Sequence, residues 1–347
     1  MGSQQSVNTE VRNSIQWVDF ARFIGAFLVV LAHITGWGTE PSAAGAFYYT
    51  VSRVGVPIFF LISGYLLLTK EEDLWTFFKK RAARILIPFL AWSILYDVLN
   101  SQAFAETGVT LEAVLKMFIR ILRGPREGHL WFFYSLIGLY LLTPILRVFV
   151  AKAKPSELFY YIALWFLVAP VLYIVEGLTP LKNGFEVYYT GGYVGYFLLG
   201  FYLGKHETTP RLVRFALAVF LAGFLFSFAV FHFDLPPHGN ELPFRSYPSL
   251  NIILMSLGAF VLVKAIGEKA PAPLLRFSGW VSGASFGIYL VHPLILRWMT
   301  AWWVSLGFDP AAGNSLFVLP VVALILFLLS WLLVFLVGKA PMLRSVV

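Results

Sequence analysis

The 347 residues include no cysteine. That removes thiol nucleophiles, disulfides and thiolate metal sites together, so any covalent intermediate needs another nucleophile. Charge is equally scarce. Only 13% of the side chains are Asp, Glu, Lys or Arg, against 59% hydrophobic ones, where a soluble chain carries about 25% charged residues. Strict alternation of apolar and polar residues is missing as well, which excludes an outer-membrane barrel. The span that holds Ser63 has no Gly-x-Ser-x-Gly elbow, and no metal spacing is recognisable; His232 and His238 lie six apart in a polar loop with four prolines, and no metal site is expected. No nucleic-acid module is present.

What the chain does have is long apolar runs. They predict an all-α, polytopic membrane protein of ten spans, at about 17–37, 46–69, 84–100, 129–149, 158–176, 187–204, 212–232, 249–267, 278–304 and 316–338, each near the length that crosses a bilayer. The whole of 1–347 reads as one transmembrane domain with a short polar segment at 1–14. Basic residues fall in alternate connections: Lys79, Lys80, Arg81 and Arg84 in the second, Arg147 and Lys152 in the fourth, Lys205 and Arg211 in the sixth, Lys264 and Lys269 in the eighth. The positive-inside rule then places both termini in the cytoplasm. These flanks also account for the net charge of +8. The third connection departs from the pattern. Leu111, Leu115, Phe118, Ile119 and Leu122 alternate there with Lys116, Arg120 and Arg123, which predicts an amphipathic helix at the interface or re-entering the bundle.

The first span carries the sharpest signal. Arg22 and His33 are eleven residues apart, so at 100° per residue they fall within about 20° of one helical face and about 16 Å apart along it. Asp19 joins that face one turn earlier. An acid, a guanidinium and an imidazole in an otherwise apolar span face a bundle interior or a wet cavity. His33 suits a general base, while Arg22 matches a phosphate or carboxylate; a hydrogen-bonded interface histidine and a snorkelling arginine paired with Asp19 are the structural alternatives.

Other spans add further groups. Arg53 shares a face with Pro57, Phe60 and Gly64, and Pro57 is expected to kink the helix. Arg81 and Arg84, spaced i, i+3, suit a polyphosphate such as that of coenzyme A, or anchor the span. His129 and Trp131 open the fourth span at an interface where they frame a sugar or belong to the aromatic belt. Pro293 releases the carbonyl of Tyr289, so the ninth span is expected to bend beside His292. Small-residue faces at Gly191, Gly192, Gly195 and Gly200 leave packing within one bundle or between two copies open.

These elements, taken in order, resemble the membrane acyltransferase-3 family: Arg22 and His33 with ten residues between them, Pro57–Tyr65, the Arg81/Arg84/Pro88 cluster, His129–Phe133 and Tyr289–Pro293. The run from Ser52 to Pro57 is most similar to the enterobacterial common antigen O-acetyltransferase branch. The resemblance implies ten helices in the bacterial cytoplasmic membrane. It also implies transfer of an acyl group, usually acetyl, from cytoplasmic acyl-CoA to a sugar hydroxyl of a surface polysaccharide or glycolipid, with Arg22 and His33 required. Under it, acyl-CoA is a co-substrate rather than a bound cofactor. The reading of the residues fits this: Arg81, Arg84 and Arg22 are expected to hold the donor phosphates, Arg53, His129, Trp131, Tyr289 and His292 to face the acceptor or the developing oxyanion, and Asp19 and Arg22 to support His33. No soluble domain is expected after the last span, and no nucleic-acid partner. A proton-coupled transporter of a glycan or small metabolite is the competing reading.

Overall fold

The computed structural model describes residues 2–35, 42–101, 108–187, 190–234, 243–307, 315–341 and 343–346. Among them every regular element is helical. The helices are α1 (Gly2–Ile34), α2 (Ala43–Ser52), α3 (Gly55–Leu68), α4 (Leu74–Arg81), α5 (Ile87–Asn100), α6 (Leu111–Arg123), α7 (Trp131–Lys152) and α8 (Pro155–Phe166). They continue with α9 (Tyr173–Leu178), α10 (Val194–Lys205), α11 (Pro210–His232), α12 (Leu250–Lys269), α13 (Ala272–Ser282), α14 (Ser285–Ser305) and α15 (Ser315–Lys339).

Eight helical stretches among the described residues are long and apolar enough to cross a membrane, and α13 with α14 makes a ninth, bent by 65°. Nine of the ten expected spans thus have a counterpart. The exception is 187–204, where α10 has only 12 residues. At 1.5 Å per residue that is about 18 Å, well short of the hydrocarbon thickness.

Two prolines act differently from expectation. α2 ends at Ser52, and Pro57 falls in the first turn of α3, where the N–H groups have no intrahelical partner, so proline starts this helix rather than kinking it. α14 runs as one helix from Ser285 to Ser305 through Pro293. The sharp bend lies instead at Gly283 and Ala284, between α13 and α14.

The chain divides into two compact units, 1–69 with 152–332, and 70–151 with 333–347. In the first, α1 is the hub and packs against α2, α3, α12, α13 and α14. α3 and α10 meet backbone to backbone. A Cβ on Gly64 would lie 1.9 Å from the Phe197 carbonyl oxygen, and one on Gly200 would lie 2.0 Å from that of Leu61, so only glycine permits this approach. Gly195 is covered by the Trp165 ring. These small residues therefore pack inside one chain. Lys264 also differs from its expected place in a cytoplasmic connection. It is buried within α12, and its ammonium donates to the carbonyls of Leu203 (3.3 Å), Gly204 (2.8 Å) and His206 (2.6 Å), closing the C-terminal end of α10.

In the second unit, α6 is the amphipathic helix that the third connection predicts. Thr110 caps it by accepting from the Ala113 N–H (3.2 Å). Ala113, Met117 and Ile121 point inward, while Leu111, Leu115, Phe118, Ile119 and Leu122 form an exposed apolar stripe. Arg120 tethers the helix to α5. Its Nε donates to Asp97 at 2.9 Å, and Arg126 adds a second cation at 2.7 Å on this fully buried carboxylate.

Candidate functional site

α1 is helical throughout, so Arg22 and His33 keep the shared face that their spacing sets. Asp19 lies on the same face and organises its lower end. Its Oδ1 accepts from Arg22 Nη1 (3.3 Å) and from Ser282 Oγ (2.7 Å), at the last residue of α13. Arg22 retains 35% of its side-chain exposure and Asp19 22%, so the guanidinium is held by its partner without being closed off. The 65° bend that follows Ser282 ends α13 at this hydroxyl.

At the upper end two histidines meet. The rings of His33 on α1 and His292 on α14 are 4.6 Å apart between centroids, with planes at 77°. Each Nδ1 faces the carbonyl one turn back, Val29 at 2.9 Å for His33 and Ile288 at 3.0 Å for His292. A carbonyl only accepts, so Nδ1 carries the hydrogen in both rings and Nε2 is the basic nitrogen of each neutral imidazole. His33 is half-buried, whereas His292 is fully buried and Tyr289 nearly so. His292 and Tyr289 also share a ring contact at 6.0 Å. The site therefore offers a partly accessible base oriented by backbone and backed by a second imidazole.

Arg53 sits in the two-residue break between α2 and α3. Its Nη2 donates to the Arg245 carbonyl (2.6 Å), and its guanidinium lies 3.8 Å from the centre of the Tyr247 ring and 5.5 Å from that of Tyr49. Desolvation pushes the Tyr247 hydroxyl above its usual range, and the neighbouring Arg53 pulls it down less strongly. It stays a neutral phenol at any physiological pH.

The remaining sequence-predicted residues belong to the second unit and are described within it. Arg81 and Arg84 do not present one surface. A π-helical turn, Ala82–Leu86, separates Arg81 from α5; Arg81 turns onto Glu72 (3.2 Å), while Arg84 is exposed. Glu72 also binds Lys80 (2.9 Å) and Arg147 (3.1 Å). These cations, the Lys80 hydrogen bond foremost, hold its carboxyl below the usual range. His129 is buried in a short turn against the Tyr96 ring at 5.4 Å, and Trp131 is half-buried beside Phe132.

Sequence reasoning did not find Ser282, Tyr247, Glu72 or Asp97 as partners of the charged residues. Asp97 was detectable as a lone acid in an apolar span. Ser282 and Tyr247 carry no such signal, because polar residues of those types are common near span ends.

Comparison with known proteins agrees with the family that the motifs resemble, and does not single out the enterobacterial common antigen branch. The family model described as "Acyltransferase domain", Acyl_transf_3, matches residues 15–336. Succinoglycan biosynthesis protein ExoH of Rhizobium meliloti is 29% identical over 269 residues, covering 71% of this chain and 67% of that protein. An amino-acid racemase of Enterococcus faecalis is 26% identical over 307 residues, covering 80% of this chain and only 40% of that protein. No solved structure matches.

Proposed function

Because the chain belongs to the acyltransferase-3 family, we propose that it is a multi-pass membrane O-acyltransferase. The proposed reaction moves an acyl group, acetyl being the first choice, from acyl-CoA to a sugar hydroxyl of a polysaccharide or glycolipid. The similarity to ExoH, whose name assigns it to succinoglycan biosynthesis, supports a glycan acceptor. The observation that carries the mechanism is the pairing of His33 with the Val29 carbonyl, which leaves Nε2 as the base.

In this reading His33 Nε2 takes the proton of the sugar hydroxyl as its oxygen attacks the thioester carbonyl carbon. The carbon–sulfur bond then breaks, the new ester leaves, and the proton passes from His33 to the thiolate of coenzyme A. No protein nucleophile is required, in keeping with a cysteine-free chain. Arg22, fixed by Asp19 and Ser282 but still accessible, suits a donor phosphate. Arg84, exposed in its own unit, is a second such cation, while Arg81 is engaged by Glu72. His292 backs the His33 ring and Tyr289 backs His292, and Arg53 is a proposed contact of the acceptor or the developing oxyanion. His129 and Trp131 remain proposed acceptor contacts. A bacterial cytoplasmic membrane location with both termini inside is part of the same proposal.

The test is label transfer from labelled acetyl-CoA to a glycan extract of the source cells by the purified protein in lipid. His33→Ala runs beside it with a matched elution profile. Label in the glycan with the native chain alone supports the reading. Absence of label with a folded protein, a verified acceptor and both acetyl-CoA and succinyl-CoA as donors overturns it.

A further inference from the structure

Arg53 is a cation in a membrane-spanning stretch, and among the described residues no carboxylate lies within ion-pair distance of it. The other charges deep in this unit are arranged differently. Arg22 has Asp19, and Lys264 has three carbonyls and Glu268. The titratable neighbours of Arg53 are instead phenols, those of Tyr49, Tyr193, Tyr196 and Tyr247. The ring of Tyr247 lies under the guanidinium, Tyr193 stacks on Phe60 at 4.6 Å, and the Tyr196 hydroxyl donates to the Tyr247 carbonyl at 2.7 Å. Among the described residues the side chains that face the guanidinium are thus aromatic; Arg245, which offers only its carbonyl, has its own charge paired with Asp234.

Arg53 Nη2 donates to the Arg245 carbonyl, the Tyr247 hydroxyl is a second side-chain hydrogen-bond partner, and Nε is sealed from solvent with no acceptor among the described residues. Arg53 as a whole is only half-buried. A fixed positive charge with an unfilled Nε donor and no carboxylate beside it among the described residues, at membrane depth, calls for an anion. The flat Tyr247 ring beside it adds a surface for an apolar or sugar face. Glu40 and Glu241 lie outside the described residues.

We propose that Arg53, with Tyr49 and Tyr247, is a binding subsite for an oxyanion group, a carboxylate or phosphate, carried by one of the two substrates. The two sources are a second carboxylate on the transferred acyl chain and an acidic group on the acceptor glycan. The proposal rests on the acyltransferase reading and deepens it by giving the reaction a charge preference.

The experiment measures steady-state transfer by the full chain in lipid nanodiscs with two donors, acetyl-CoA and succinyl-CoA. Each donor is tested on neutral and acidic fractions of the glycan extract separated by anion exchange. Native protein, Arg53→Met, Arg53→Lys, Glu40→Gln and Glu241→Gln are compared at matched monodispersity. In Arg53→Met, KM for the anion-bearing substrate is expected to rise about ten- to a hundredfold relative to any change for its neutral counterpart, the usual worth of a charge-assisted hydrogen bond. A selective effect on succinyl-CoA assigns the anion to the acyl chain, and one on the acidic fraction assigns it to the acceptor.

Arg53→Lys keeps the charge and gives up the planar fork, so it should recover part of the preference; it carries the test alone if the Met variant does not fold. Equal loss on charged and neutral substrates in Arg53→Lys, or no charge preference in the native protein, overturns the subsite. So does loss of the preference in Glu40→Gln or Glu241→Gln, which would make Arg53 the partner of that side chain. Absence of any transfer by the native protein would overturn the acyltransferase reading itself, and the subsite with it.

Discussion

His33 and His292, 259 positions apart in the sequence, meet edge to face with ring centroids 4.6 Å apart. Their roles divide by accessibility. His33 is half-buried with Nδ1 on the Val29 carbonyl, while His292 is sealed and packs behind it. Replacing His33 by Ala is therefore expected to lower kcat about 10²- to 10⁴-fold with little change in thermal midpoint. Replacing His292 by Ala empties a buried site and is expected to cost about 2–4 kcal/mol of stability. Activity assays and thermal denaturation in detergent of the two variants separate these effects. A large stability loss in His33→Ala would reverse the assignment.

Ser282 reaches Asp19, and through it Arg22, across a single hydrogen bond of 2.7 Å. A hydrogen bond to a charged group contributes about 1.5–3 kcal/mol. Ser282→Ala leaves Asp19 Oδ1 without its hydroxyl donor, so the carboxylate is held less firmly, and is expected to raise KM for acyl-CoA about tenfold, since Arg22 then samples more orientations. Ser282→Thr, which keeps the hydroxyl, should restore the native value. The same KM in both variants would show that Ser282 serves only to close the end of α13.

Acid should weaken the second unit at a definable place. Glu72 binds Lys80, Arg81 and Arg147, and its folded carboxyl is held below the unfolded value of about 4.3. A depressed carboxyl contributes stability that is complete above the unfolded value and disappears as pH falls through the folded one. Glu72→Gln should therefore be less stable than the native chain at pH 7 and approach it below about pH 4. Thermal midpoints of both proteins across pH 3–7 check the sign. A gap that stays constant over that range would mean the three cations are held by packing alone.

Much of this site was legible because it depends on one helix. The 100° period puts Asp19, Arg22 and His33 on one stripe whatever surrounds them, and α1 keeps that register. The amphipathic α6 was legible for the same reason. Partners from other helices were not. His292 reaches His33 from α14, which follows a 65° bend at Gly283 and Ala284; the sequence pointed to Pro293 as the bend because proline is the commonest cause of one. Pro57 was read as a kink because the end of α2 at Ser52 has no strong stop signal, and only that end turns Pro57 into a first-turn residue. The short α10 was hidden inside an apolar run whose composition matches a full span.

Gly64 and Gly200 show how little room the α3 and α10 pairing leaves. In each case the nearest atom to an added Cβ is a backbone carbonyl oxygen, which cannot rotate aside as a side chain does. Gly64→Ala must therefore push the two helices apart, exposing Phe197 and Leu61, both fully buried. Overpacking of this kind costs about 3 kcal/mol or more when backbone has to move, and separated helices in lipid regain no hydrophobic driving force. The variant is expected to unfold at a lower temperature and to lose activity in proportion to its unfolded fraction. Gly138→Ala is the control: an added Cβ there meets nothing within 4 Å, and its thermal midpoint should match that of the native chain. Equal midpoints for Gly64→Ala and the native chain would mean that α3 and α10 do not pack this closely.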